Sequence, residues 1–84
     1  MTFTVKFDEN VYYVEAEIET DERGTHAKVG TIRTMGKYPK DMKAFMRDVS
    51  REIEDQVDNA FVNAYMRDGI TTELSVEEVM VKYA

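Results

Sequence analysis

The sequence contains no cysteine. That excludes a disulfide framework and any thiolate zinc site, and it fits a reducing compartment. Histidine is almost as scarce, with His26 the only one, so a single imidazole would have to serve any catalytic triad. A Gly-rich phosphate loop is also missing. Gly36-Lys37 lacks the upstream glycine spacing and the following Ser/Thr that such a loop needs. No apolar run approaches the ~20 residues that cross a bilayer. The opening MTFTVKFDEN alternates apolar and polar residues and has neither the basic region nor the apolar stretch of a signal peptide. The expected location is the cytoplasm, of a cell or of an infected host, away from membranes.

What is present fits one α+β domain spanning residues 1–84. Apolar residues make up 43% of the chain and include nine aromatics (Tyr 5, Phe 4), enough for one core despite 33% charged residues. A chain of this length buries about 60–65% of the surface its unfolded form exposes.

Residues 2–34 read as a three-stranded antiparallel β-meander. Phe3, Val5 and Phe7 alternate with polar residues, as do Tyr12, Val14, Ala16 and Ile18. A two-residue turn at Glu9-Asn10 pairs Phe7 with Tyr12, Val5 with Val14 and Phe3 with Ala16, placing every apolar residue on one face. A second turn at Asp21-Glu22-Arg23-Gly24 pairs Thr20 with Thr25, Ile18 with Ala27 and Ala16 with Val29. It also sets Glu19 beside His26 and Glu17 beside Lys28. The alternation then slips by one at Gly30, which predicts a β-bulge.

Residues 40–68 read as one long amphipathic helix. Met42, Phe45, Met46, Val49, Ile53, Val57, Ala60, Phe61 and Ala64 form its apolar stripe, and Gly69 is the expected cap. Pro39 suits the first helical position, with Asp41 in or just before the first turn. At 75–83, Ser75 and Glu78 match a capping box and predict a short C-terminal helix, with an edge strand at 79–83 as the alternative.

No enzyme chemistry emerges from these residues, and neither cofactor nor metal is expected. His26 reads as a surface partner of Glu19. Glu15, Glu17 and Glu19 point the same way on a strand, about 7 Å apart, without the curved glycine-bearing loop of a calcium site.

Charge is the more informative feature. The net charge is −6, and it is segregated. Residues 8–22 hold seven acids and no base, residues 28–51 hold seven bases against two acids, and residues 52–78 hold eight acids against one base. Three readings follow. The first is a small acidic, non-enzymatic protein-binding module that sets Glu15, Glu17, Glu19, Glu54, Asp55 and Asp58 against a partner's basic surface. A virus-encoded inhibitor or accessory factor of a nucleic-acid-processing protein would have this size and character. The second is RNA or DNA binding through Arg33, Lys37, Tyr38, Lys40, Lys43, Arg47 and Arg51. On a helical wheel the last four bases share one arc opposite the apolar stripe, and Arg51 can pair locally with Glu54 and Asp55. The third is a homodimer or larger assembly through Val62, Tyr65 and Met66. Val62 and Met66 lie outside the main stripe and need cover from the C-terminal segment or another chain. Tyr13, facing away from the core, is a lesser candidate for the same kind of surface.

Overall fold

The computed structural model describes residues 1–70 and 74–84. Three strands, β1 (Thr2–Phe7), β2 (Asn10–Asp21) and β3 (Gly24–Thr34), are followed by helices α1 (Met42–Asp68) and α2 (Val76–Tyr83). The strands form one antiparallel sheet in the order β1-β2-β3, and α1 covers one face of it. The C-terminal segment is a helix rather than an edge strand. Ser75 accepts from the N–H of Glu78 at 3.2 Å, and the Glu78 carboxylate faces back to the N–H of Ser75 at 3.5 Å, which fixes its first turn.

One expected register is corrected. The first hairpin turns at Asp8-Glu9, with φ of 47° and 67°, and pairs Phe7 with Asn10, Val5 with Tyr12 and Phe3 with Val14. The expected pairing differs from this by two residues. Such a slip keeps every side chain on its original face, so apolar alternation cannot detect it. The left-handed conformations of Asp8 and Glu9 match the right-handed strand twist that two-residue hairpins require. The second hairpin follows the expected pairs, from Thr20 with Thr25 to Ala16 with Val29. The bulge also stands at Gly30, because Val14 faces Ile32 while Ala16 faces Val29, leaving Gly30 and Thr31 across from Glu15.

α1 begins two residues later than expected. Pro39 lies outside it, and Asp41 is the cap, accepting from the N–H of Ala44 at 3.1 Å. Gly69 ends the helix in the left-handed conformation, φ 66°. At about 1.5 Å per residue the helix is roughly 40 Å long, and two elements share its apolar stripe. Phe45, Val49, Ile53 and Val57 meet Phe3, Val5, Tyr12, Val14 and Ala16 of the sheet. Farther along, Ala60 and Ala64 meet Val79 and Tyr83 of α2. The two alanines let α2 approach closely, and α2 therefore lies on that stripe. It does not cover Val62 and Met66, which remain 56% and 73% exposed.

The flanks of α1 also reach the strand edges. Gln56 donates to the carbonyl of Thr4 on β1 at 2.9 Å. On the other side Glu54 accepts from the N–H of Ala27 at 3.0 Å, and Asp58 accepts from the hydroxyl of Thr25 at 2.7 Å. A donor thus meets an exposed carbonyl and an acceptor meets an exposed N–H, which blunts both edges.

Candidate protein-binding site

The acidic residues divide into those with a structural partner and those without one. Glu54 and Asp58 hold β3, Asp41 and Glu78 cap helices, and Asp68 accepts from the Tyr83 hydroxyl. That hydrogen bond, together with burial, raises the pKa of Tyr83. Asp21 accepts from the N–H of Arg23 at 2.7 Å and lies 3.0 Å from Nε2 of His26. The backbone hydrogen bond first, and the His26 contact second, hold its carboxyl below the usual value. His26 is therefore the partner of Asp21, not of Glu19 as expected. The two face each other across the sheet, but the turn presents the Asp21 carboxylate to the ring.

Glu15, Glu17 and Glu19 remain exposed on the sheet face away from α1. Lys28 stands opposite Glu17. Among the described residues, however, the ion pairs closer than 4.0 Å are His26–Asp21 and Arg47–Asp48, and none involves these three glutamates. Arg51 likewise forms no such pair with Glu54 or Asp55. The six acids expected to act together do not form one surface, since Glu54 and Asp58 are engaged with β3 and Asp55 is exposed on α1.

A different acid joins the sheet row. The start of α2 lies beside the last third of β2. A groove of about 340 Å³ there is lined by Met1, Ala16, Glu17, Ile18, Glu19, Val76 and Glu77. Among the described residues three carboxylates border it and no Lys or Arg side chain does. The Met1 amino group is turned to the carbonyl of Ala16 at 3.3 Å. In the sequence Glu77 reads only as part of a helix start, and no local pattern says that this turn lies against β2. Glu15 lies in the neighbouring depression, together with Glu17 and Lys28.

The basic residues are also divided. Lys43, Arg47 and Arg51 follow one another at four-residue steps on the exposed side of α1, with Lys40 just before its cap. Arg33 sits instead on the open sheet face, opposite Tyr13, with which it lines a separate depression. Lys37 gives its backbone carbonyl to the Tyr12 hydroxyl at 2.7 Å. Tyr38 donates its hydroxyl to the carbonyl of Ile32 at 2.9 Å and leans its ring on Tyr12, leaving about half of the side chain exposed. The bases therefore form a helical stripe, with Arg33 apart from it. Val62, Tyr65 and Met66 are exposed together near the end of α1.

No protein-family model, curated protein or solved structure matches the chain. Among the described residues no helix is long and apolar enough to cross a membrane, and no His, Cys, Asp or Glu group is arranged to hold a metal ion. The histidine is tied to a hairpin turn and Ser75 to a helix cap.

Proposed function

We propose that the protein is a non-enzymatic binding module that docks the groove between β2 and α2 on a basic surface of another protein. The observation that carries this reading is the convergence of Glu17, Glu19 and Glu77, which among the described residues have no ion-pair partner, whereas Asp21, Asp41, Glu54, Asp58, Asp68 and Glu78 are engaged elsewhere in the fold. Carboxylates about 7 Å apart repel by about 0.6 kcal/mol even in water. Stability gives no reason to gather them, whereas a cationic partner does. A surface that normally takes phosphates suits three carboxylates, so a nucleic-acid-processing protein is the preferred partner class, with the protein acting as an inhibitor or accessory factor in the cytoplasm. Association would be fast and salt-sensitive.

Hexalysine titrated into the labelled protein at low salt tests this. Amide shifts should cluster at Glu17, Glu19 and Glu77, fade as salt rises, and vanish in the triple variant E17K/E19K/E77K. Shifts centred on Asp55, or none at all, would refute the reading.

A second reading rests on Lys43, Arg47 and Arg51, which are exposed on one side of α1; among the described residues Asp48 is the one carboxylate within 4.0 Å of any of them, 3.9 Å from Arg47. A phosphate backbone could follow this stripe. Binding of single-stranded RNA that is abolished by K43E/R47E and untouched by E17K/E19K would favour it over the first.

A further inference from the structure

Among the described residues the sheet has three stretches of strand edge, and they are not equally protected. α1 reaches the edge of β1 through Gln56 and the edge of β3 through Glu54 and Asp58. The third stretch belongs to β2. This strand continues to Asp21, whereas its pairing with β1 runs through Thr2 and closes at Met1, which exchanges both backbone hydrogen bonds with Ala16 (2.9 and 3.3 Å). Successive residues of an antiparallel strand turn their backbone groups to opposite sides. Ile18 and Thr20 therefore face the same side as Ala16, while Glu17, Glu19 and Asp21 bond to β3. Among the described residues no group hydrogen-bonds to the N–H or C=O of Ile18 or Thr20 on that side. The groove bordered by Glu17, Glu19 and Glu77 runs along this stretch.

We propose that this edge of β2 takes an extended segment of a partner protein as an added antiparallel strand. Basic side chains would stand opposite Glu17 and Glu19, and an apolar one opposite Ile18. The proposal rests on the acidic-groove reading above and specifies how the groove is filled. Main-chain hydrogen bonds to Ile18 and Thr20 supply the attachment, and alternate side chains supply the selection. Residues opposite Glu17, Glu19 and Asp21 point to the open face, where the carboxylates are. The residue opposite Ile18 points to the other face, towards Ile18 and Val76, both partly buried against the core.

The same register excludes a second copy of this chain paired two-fold along this edge. A two-fold pairing that uses the free groups of Ile18 or Thr20 sets Glu17 against Glu19, or Glu19 against itself and Glu17 against Asp21, or Glu19 against Asp21. Acids would face acids in each case, and like charges directly opposite are destabilising. A nucleic acid meets the same repulsion.

The test uses the peptide KTKVKG, whose first two lysines fall opposite Asp21 and Glu19 and whose threonine and valine fall opposite Thr20 and Ile18. The last lysine reaches Glu17, and the glycine lets the chain turn away where Met1 already pairs with Ala16. Binding is followed by calorimetry and by amide shifts. N-methylation of the threonine and valine removes the donors that face β2 and should weaken binding by at least about tenfold. N-methylation of the central lysine, whose N–H points away, should leave it nearly unchanged. Equal affinity for all three peptides would overturn strand addition and leave charge docking standing. Failure of KTKVKG to bind, while hexalysine still shifts Glu17, Glu19 and Glu77, would do the same. Failure of both probes would remove the acidic-groove reading as well. A dimer in which the Ile18 and Thr20 amides are protected without peptide would assign the edge to a second copy and overturn the proposal.

Discussion

Replacing Glu9 by glycine should stabilise the protein, and replacing the adjacent Asn10 by glycine should destabilise it. Glu9 is exposed and has a φ of 67°, a conformation that costs an L-residue about 1–2 kcal/mol. Glycine removes that strain but loses about 0.5–1 kcal/mol of unfolded-state entropy. The net gain is about 0.5–1 kcal/mol, or roughly 2–8 °C in melting temperature for a domain of this size. Asn10 is the first residue of β2 and pairs with Phe7. Its side chain packs where a Cβ on Gly36 would come within 2.6 Å of Oδ1. Glycine at position 10 loses this contact and weakens the strand, by about 0.5–1 kcal/mol. Thermal and urea unfolding of the two variants decides the matter. A turn at Glu9-Asn10 would make N10G the stabilising change, and that result would refute the observed register and the Met1–Ala16 pairing that depends on it.

Other substitutions probe the contacts that place the groove. Ile53→Ala removes a fully buried side chain at the centre of the sheet–helix interface and should cost about 2–5 kcal/mol in urea unfolding. Val62→Ala, on the exposed side of the same helix, should change stability by less than about 0.5 kcal/mol if nothing covers it in solution. Glu54→Ala should speed hydrogen exchange at the Ala27 amide, whose acceptor it removes. The Tyr83 pKa is raised by folding, so its contribution is full below the ordinary value of 10.0 and lost as pH rises through the higher folded value. Y83F should flatten this alkaline decline in stability, and an unchanged decline would deny the contact with Asp68. The Asp21 pKa is lowered instead, so its stabilisation is present above the ordinary 3.8 and lost as pH falls through the lower folded value. D21N should remove that acidic component from the stability profile.

Much of the architecture was legible because each element carries its own periodic signal. Alternation marked the strands, the stripe from Phe45 to Ala64 marked α1, and Ser75 with Glu78 marked the start of α2. Gly30 marked the bulge because the apolar phase changes there. The first hairpin register was not legible, since a two-residue slip leaves the inner face unchanged and only the backbone at Asp8 and Glu9 distinguishes the two. The site was legible only in part. Glu17 and Glu19 could be placed on an open face from alternation alone. That Glu54 and Asp58 hold β3 depends on how far the flank of α1 reaches over a strand edge, which their spacing in α1 does not encode. Glu77 joins the groove only because Ala60 and Ala64 admit α2 beside the sheet. The same packing decides that Val62 and Met66 stay exposed.

Amide hydrogen exchange along β2 tests the central claim most directly, with and without the KTKVKG peptide. In the free protein Ile18 and Thr20 should exchange rapidly, while Glu17 and Glu19, bonded to β3, stay protected. Adding the peptide should slow exchange at Ile18 and Thr20 and leave α1 unchanged. Protection of Ile18 and Thr20 before any peptide is added, or new protection along Lys43, Arg47 and Arg51 instead, would contradict the assignment of this edge as the docking site.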